Sequence, residues 1–139
     1  MENLLIDIKS VNTESDGGLS FFESNKDIPF DIKRIYYIYD VPTEVKRGFH
    51  AHKKLRQLLW CPYGHIDILI NDGKNIKTYT LDSPKKGLVI LKGYWREMIW
   101  KKENSVLCVA ASDYYNEDDY IRNYEEFLKY AEEGFWNEK

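Results

Sequence analysis

Between residues 4 and 112 the apolar side chains come in short runs, some alternating strictly with polar ones and some continuous, and Gly, Pro, Asn or Asp closes most of them. A period of two puts neighbouring side chains on opposite faces of a strand, and a short continuous apolar run suits a strand covered on both faces. The pattern predicts strands at residues 4–9, 19–23, 32–41, 48–52, 57–61, 65–71, 75–81, 87–91, 95–100 and 105–112. Asn71-Asp72-Gly73-Lys74 reads as a hairpin turn, and Asp82-Ser83-Pro84-Lys85-Lys86-Gly87 as a second break bent by Pro and Gly. Many short strands at regular spacing, with no helical pattern between them, predict an all-β sandwich or barrel and speak against βαβ units. The period changes only after Asp118-Asp119. There Tyr120, Tyr124, Phe127, Leu128 and Ala131 fall at helical spacing, which predicts one C-terminal helix over 120–133 with Gly134 as its stop.

No repeat or shift of composition divides the chain, so residues 1–139 read as one domain, a length sufficient for a single core. With 43% hydrophobic and 31% charged residues, the chain belongs with globular proteins and not with disordered or fibrous ones. Lys+Arg 20 against Asp+Glu 23 leaves a net charge of −3 with the cations scattered, which speaks against a nucleic-acid partner. The first ten residues carry Glu2, Asp7 and Lys9 without an apolar stretch, so no targeting peptide is expected and the reading is cytoplasmic. No apolar run approaches the roughly 20 residues that span a bilayer, so no membrane partner is expected. Cys61 and Cys108 lie in apolar runs and are expected as buried thiols of a reducing compartment. Aromatic residues reach 15%, with 11 Tyr, which suits sheet packing and equally a pocket that stacks on a base or a sugar ring.

The residues able to do chemistry centre on His50-Ala51-His52. On a strand, positions i and i+2 share a face, so both imidazoles enter the same pocket if that face lines a barrel interior. Together with Gln57 and Gly64 they form H-x-H-x4-Q-x6-G, which resembles the first motif of the cupin superfamily with Gln in place of Glu. The second motif of the metal-binding cupins, G-x5-P-x-G-x2-H, begins at Gly87 and finds Gly93, Trp95 and Met98 where Pro, Gly and His would stand. A carboxylate has become an amide and an imidazole a thioether, so no metal or other cofactor is expected. His65, after Gly64, is read as a turn or surface residue and not as a replacement ligand.

A closer resemblance runs from residue 28 to about 128. Residues 28–37 (IPFDIKRIYY), 47–54 (RGFHAHKK), Trp95-Arg96-Glu97-Met98, Ala111-Ser112-Asp113-Tyr114-Tyr115 and 119–124 (DYIRNY) closely resemble the dTDP-sugar 3,4-ketoisomerases of the cupin superfamily. The resemblance implies a cupin-type small β-barrel, or jelly roll, with one C-terminal helix. It also implies conversion of dTDP-4-oxo-6-deoxyglucose to a 3-oxo-6-deoxyhexose, a step toward the 3-amino and 3-acylamino sugars of surface glycans. The dimeric state of that family implies a homodimer with exchanged N-terminal strands. Just before Gly17 this chain has Asp16, where the family carries a larger basic or aromatic residue, and the C-4 epimer of the product is left open.

The implied chemistry suits the residues. A C-3 proton next to a C-4 carbonyl is acidic, so a base removes it to give an enediolate. Reprotonation at C-4 and transfer of the O-3 proton to O-4 complete the isomerisation without a redox cofactor. Histidine takes and returns protons near neutral pH, and His50 is chosen as that base. His52 is assigned to the oxygen-to-oxygen transfer or to a hydrogen bond to the enediolate, with the division between the two left open. Tyr36 is expected to orient the base or stabilise charge, and Arg34 shares its strand face. Arg47, Lys54 and Arg122 are the cations expected for the diphosphate, although Arg47 shares a face with His50 only if Gly48 breaks the strand. Thymine is expected to stack on Tyr114, Tyr115 or Trp95, and Gln57 and Arg96 complete the substrate-binding set. The competing readings are a metal-dependent cupin enzyme and a non-catalytic cupin that binds sugar nucleotides.

Overall fold

A computed structural model describes residues 1–137, so Glu138 and Lys139 of the expected domain lie outside the described residues. The strands are β1 (Leu5–Asp7), β2 (Lys9–Thr13), β3 (Gly17–Phe21), β4 (Arg34–Ile38), β5 (Lys46–His52), β6 (Gln57–Tyr63), β7 (Ile66–Asn71), β8 (Ile76–Leu81), β9 (Lys86–Ile90), β10 (Trp95–Trp100), β11 (Val106–Ala111) and β12 (Tyr120–Ile121), followed by helix α1 (Tyr124–Glu132). Two five-stranded antiparallel sheets, ordered β1-β9-β6-β11-β4 and β12-β5-β10-β7-β8, form the jelly roll of a cupin. β2 and β3 form a separate ribbon that pairs with no other strand among the described residues.

The period of two explains which side chains meet between the sheets. Leu59, Cys61, Leu88, Ile90, Leu107 and Val109 from the first sheet pack on Ile66, Ile68, Ile70, Met98 and Trp100 from the second. Burying apolar surface at about 25 cal/mol per Å² makes this layer the main source of stability. On the outside, Ile28 and Phe30 cover the first sheet over Leu58 and Ala110. Helix α1 covers the second through Phe127, packed on Ala51, Trp95 and Ile121.

The expected hairpin joins β7 to β8, with Gly73 at φ 98° and the Asp72 carboxylate accepting from the Lys74 and Asn75 amides. At the other turn, Ile8 divides the first expected strand in two. The C-terminal helix starts later than its periodicity predicts. Its cap is Asn123, whose side chain accepts from the Glu126 amide, while Glu117–Asp119 forms a 3-10 turn and Tyr120–Ile121 pairs with β5. A helix begins where a cap satisfies its free amides, and Asn123 does so where Tyr120 cannot. The helix ends as expected at Gly134, at φ 73°.

Candidate active site

One end of the barrel interior is polar, and strand register builds it. Ala111 lies between Arg34 on β4 and Gln57 on β6, which puts Arg34 and Gln57 in one inward layer. On the opposing sheet Tyr120 pairs with His52, and His50 with Arg96. The two imidazoles therefore share a face, their ring centroids 5.0 Å apart, with Tyr120 packed 4.3 Å from His52 and 5.2 Å from His50. His52 and Tyr120 line a cleft of about 250 Å³ whose wall also includes Arg34, Lys54, Asp113, Tyr114 and Asp119, with the His50 ring beside that of His52. A larger concavity of about 630 Å³ lies under α1 beside Lys74, Lys92 and Trp136, and has no histidine in its wall. The chemistry is in the smaller one.

A bulge in β5 adds Arg47 to this face. Between Arg96 and Glu97 of β10, the partner strand advances two residues, from His50 to Gly48, with Gly48 at φ 96° and Phe49 at φ 55°. The extra residue resets the alternation, so Arg47 pairs with the inward Met98, on the histidine side, while its end stays exposed.

Hydrogen bonds fix the protonation of both rings. His50 Nδ1 lies 3.0 Å from the Gly48 carbonyl, which can only accept, so Nδ1 carries the proton and Nε2 the lone pair. His52 Nδ1 lies 3.1 Å from the Asp119 carboxylate, and its buried Nε2 has no partner among the described residues. Burial and then the neighbouring Arg96 guanidinium push the His50 imidazole down to about 4, and the same two causes hold His52 far below the ordinary histidine range. Both rings are therefore free bases near neutral pH, and the His52–Asp119 contact is a hydrogen bond from a neutral ring.

Arg96 is buried and, among the described residues, has no carboxylate within ion-pair distance. It donates to the Tyr94 carbonyl at 3.3 and 3.4 Å and to the Gln57 side-chain oxygen, and burial pushes it down to about 10. Gln57 in turn donates to the Tyr36 hydroxyl at 3.1 Å. Burial raises the Tyr36 phenol, which keeps its proton available for a substrate oxygen. Arg34 lies over the Tyr36 and Tyr115 rings at 5.1 and 5.7 Å, its buried Nε without a partner among the described residues.

Residues 1–132 match the family described as FdtA: WxcM-like, C-terminal. The TDP-4-oxo-6-deoxy-alpha-D-glucose-3,4-oxoisomerase of Aneurinibacillus thermoaerophilus is 49% identical over 130 residues, 94% of this chain and 93% of that enzyme. The chain belongs to the TDP-sugar 3,4-ketoisomerase family. Among solved family members, QdtA, a sugar 3,4-ketoisomerase from Thermoanaerobacterium thermosaccharolyticum in complex with TDP, superposes with a TM-score of 0.90 at 44% identity, covering 94% of this chain and 95% of that one. The WlaRB TDP-quinovose 3,4-ketoisomerase of Campylobacter jejuni superposes at 0.85 and 44%, covering 90% and 95%.

In this ketoisomerase the expected His50, His52, Tyr36, Arg34, Gln57 and Arg96 come together inside the barrel end. Lys54, Tyr114 and Tyr115 stand at its rim, both tyrosines exposed and free to stack. Trp95 does not join them. It precedes the inward Arg96 and so faces outward, 4% exposed beneath α1, where it packs on Phe127. Arg122 is already engaged, donating to both oxygens of Glu117 at 2.7 and 3.0 Å while lying 4.2 Å from the Tyr120 ring centre. Asp119 was not among the expected residues, although it lies within the matched 119–124 segment, and neither was Tyr120. Nothing in local spacing ties Asp119 to a histidine 67 residues away. Cys61 is buried and its thiol pushed up to about 11, whereas Cys108 faces outward and is only half-buried.

Proposed function

We propose that this ketoisomerase converts dTDP-4-oxo-6-deoxyglucose to a dTDP-3-oxo-6-deoxyhexose in the cytoplasm, as a single-domain protein working as a homodimer. The observation that carries the reading is the pair of imidazoles on one face, 5.0 Å apart and each tied at Nδ1, with His52 on the cleft wall. His50 removes the C-3 proton and returns a proton to C-4. His52 carries the O-3 proton to O-4. The Tyr36 hydroxyl and the Arg96 charge stabilise the enediolate, the phenol by a hydrogen bond and the guanidinium through a water-poor interior. Arg34, Arg47 and Lys54 receive the diphosphate, and Tyr114 or Tyr115 the thymine.

The residues do not suit a cupin metal. Gln57 spends its oxygen on Arg96 and its amide on Tyr36, Met98 belongs to the apolar core, and the buried guanidinium beside the histidines repels a cation. His65 is bonded to Asp67 at the far end of β7. Purified protein treated with a strong chelator should therefore keep its full turnover. Activity lost on chelation and restored by one transition metal would refute metal independence.

The homodimer is supported by the outer faces. The β2–β3 ribbon exposes Val11 and Leu19, and the open edge strand β4 exposes Ile35 and Tyr37, with Tyr39 just beyond it. A second copy would cover both.

The decisive experiment incubates the protein with dTDP-4-oxo-6-deoxyglucose in deuterated water and follows C-3 and C-4 by NMR. Wild type should form the 3-oxo sugar and lose its C-3 hydrogen to solvent, and His50→Asn should do neither while still binding TDP. His52→Asn should slow turnover by roughly 10²- to 10⁴-fold and retain some C-3 exchange. Wild-type C-3 exchange in a folded His50→Asn protein would move the base to another group, Tyr36 first.

A further inference from the structure

The two histidines are anchored differently, and the difference points to a residue outside the expected set. His50 is tied to a neutral carbonyl, whereas His52 is tied to a carboxylate that is itself held in place. Asp119 Oδ1 accepts from the Lys54 amide at 2.8 Å, and Oδ2 accepts from the Leu55 amide at 3.2 Å and from His52 Nδ1 at 3.1 Å. The Asp119 backbone carbonyl takes the Lys53 amide at 2.9 Å, and Tyr120, next in the chain, is paired with His52 in register. The carboxylate is therefore fixed by the same strand pair that carries the imidazole, and its side chain is only 16% exposed. Opposite it, His52 Nε2 is buried and has no partner among the described residues, a cost to the folded protein unless a ligand's proton meets it.

We propose that Asp119 is a positioning residue of the isomerase: it holds the Nδ1 proton of His52 and so keeps the Nε2 lone pair facing the cleft. The proposal rests on the isomerase reading for its chemistry and on the hydrogen bonds alone for its geometry. When His52 accepts the O-3 proton at Nε2 it becomes an imidazolium. The carboxylate at Nδ1 offsets that charge without taking the proton, and return of the proton to O-4 restores the starting tautomer. A neutral anchor like that of His50 would fix the ring equally well but would leave the imidazolium beside Arg96 without a counter-charge.

Asp119→Asn separates this role from simple loop support. Oδ2 serves two of the three donors, so the single oxygen of Asn stays toward the Leu55 amide and His52 Nδ1, and the variant keeps the anchor while losing the counter-charge. Asp119→Ala loses both. The chain has three histidines, so 15N-histidine labelling with single His→Asn variants assigns each ring. His52 should carry its proton on Nδ1 in wild type and in the Asn variant, and the Ala variant should show both tautomers. The Asn variant's kcat should fall roughly 10²- to 10⁴-fold while KM and TDP affinity stay within about threefold. A wild-type His52 protonated on Nε2 would overturn the proposal without any variant, and so would a folded Ala variant that keeps the wild-type tautomer or a folded Asn variant with a kcat within twofold of wild type. A wild-type protein that leaves the oxo sugar unchanged would overturn the isomerase reading alone, and the tautomer of His52 would still uphold or overturn Asp119 as its anchor.

Discussion

A buried neutral histidine makes stability depend on pH in a defined direction. The unfolded chain protonates His50 near pH 6.5, whereas the folded protein does so only near 4, because burial and Arg96 oppose the charge. Between those values the unfolded state binds more protons, so stability is fully present above pH 6.5 and is lost as pH falls. For His50 the loss amounts to about 3 kcal/mol by pH 4, and His52 acts in the same direction. The urea midpoint of wild type should therefore drop between pH 6.5 and 4, and that of His50→Asn should drop less. Equal slopes in the two proteins would mean that His50 is not held neutral by the fold.

At the scale of the element, the β5 bulge decides what reaches the cleft. Gly48 has φ 96°, and a Cβ there would stand 2.9 Å from the Arg96 carbonyl oxygen. Gly48→Ala should cost about 1–3 kcal/mol in urea denaturation and lower turnover as well, because the Gly48 carbonyl anchors His50. Wild-type turnover in that variant would separate the bulge from the site. Bulges also mark the limit of what alternation reveals in a sequence. Short apolar runs, alternating or continuous, made β4, β6, β7 and β10 legible, and period two correctly faced His50 with His52. It left Arg47 undecided because one inserted residue inverts the parity. The outward position of Trp95 was within reach, since its neighbour Arg96 was expected to meet substrate and adjacent strand residues cannot share a face. Tyr120 and Ile121 fit a helical period as well as a strand, and only the Asn123 cap separates the two.

At the scale of the whole molecule, the exposed Val11, Leu19, Ile35 and Tyr37 belong to two elements that lack a partner on one side, the β2–β3 ribbon and the β4 edge. Sedimentation of wild type should give a dimer, and Leu19→Asp with Tyr37→Asp should give a folded monomer. A wild-type monomer at micromolar concentration would remove the dimer. The same topology imposes an order on the birth of the protein. His52 leaves the ribosome 67 residues before Asp119, and β5 lacks its outer neighbour until β12 follows. At a synthesis rate of about 5–20 residues per second, His52 exists for roughly 3–13 s without its carboxylate. During that interval the nascent barrel has an open edge beside its histidines, so any premature stop before residue 119 releases a chain whose reactive centre was never closed.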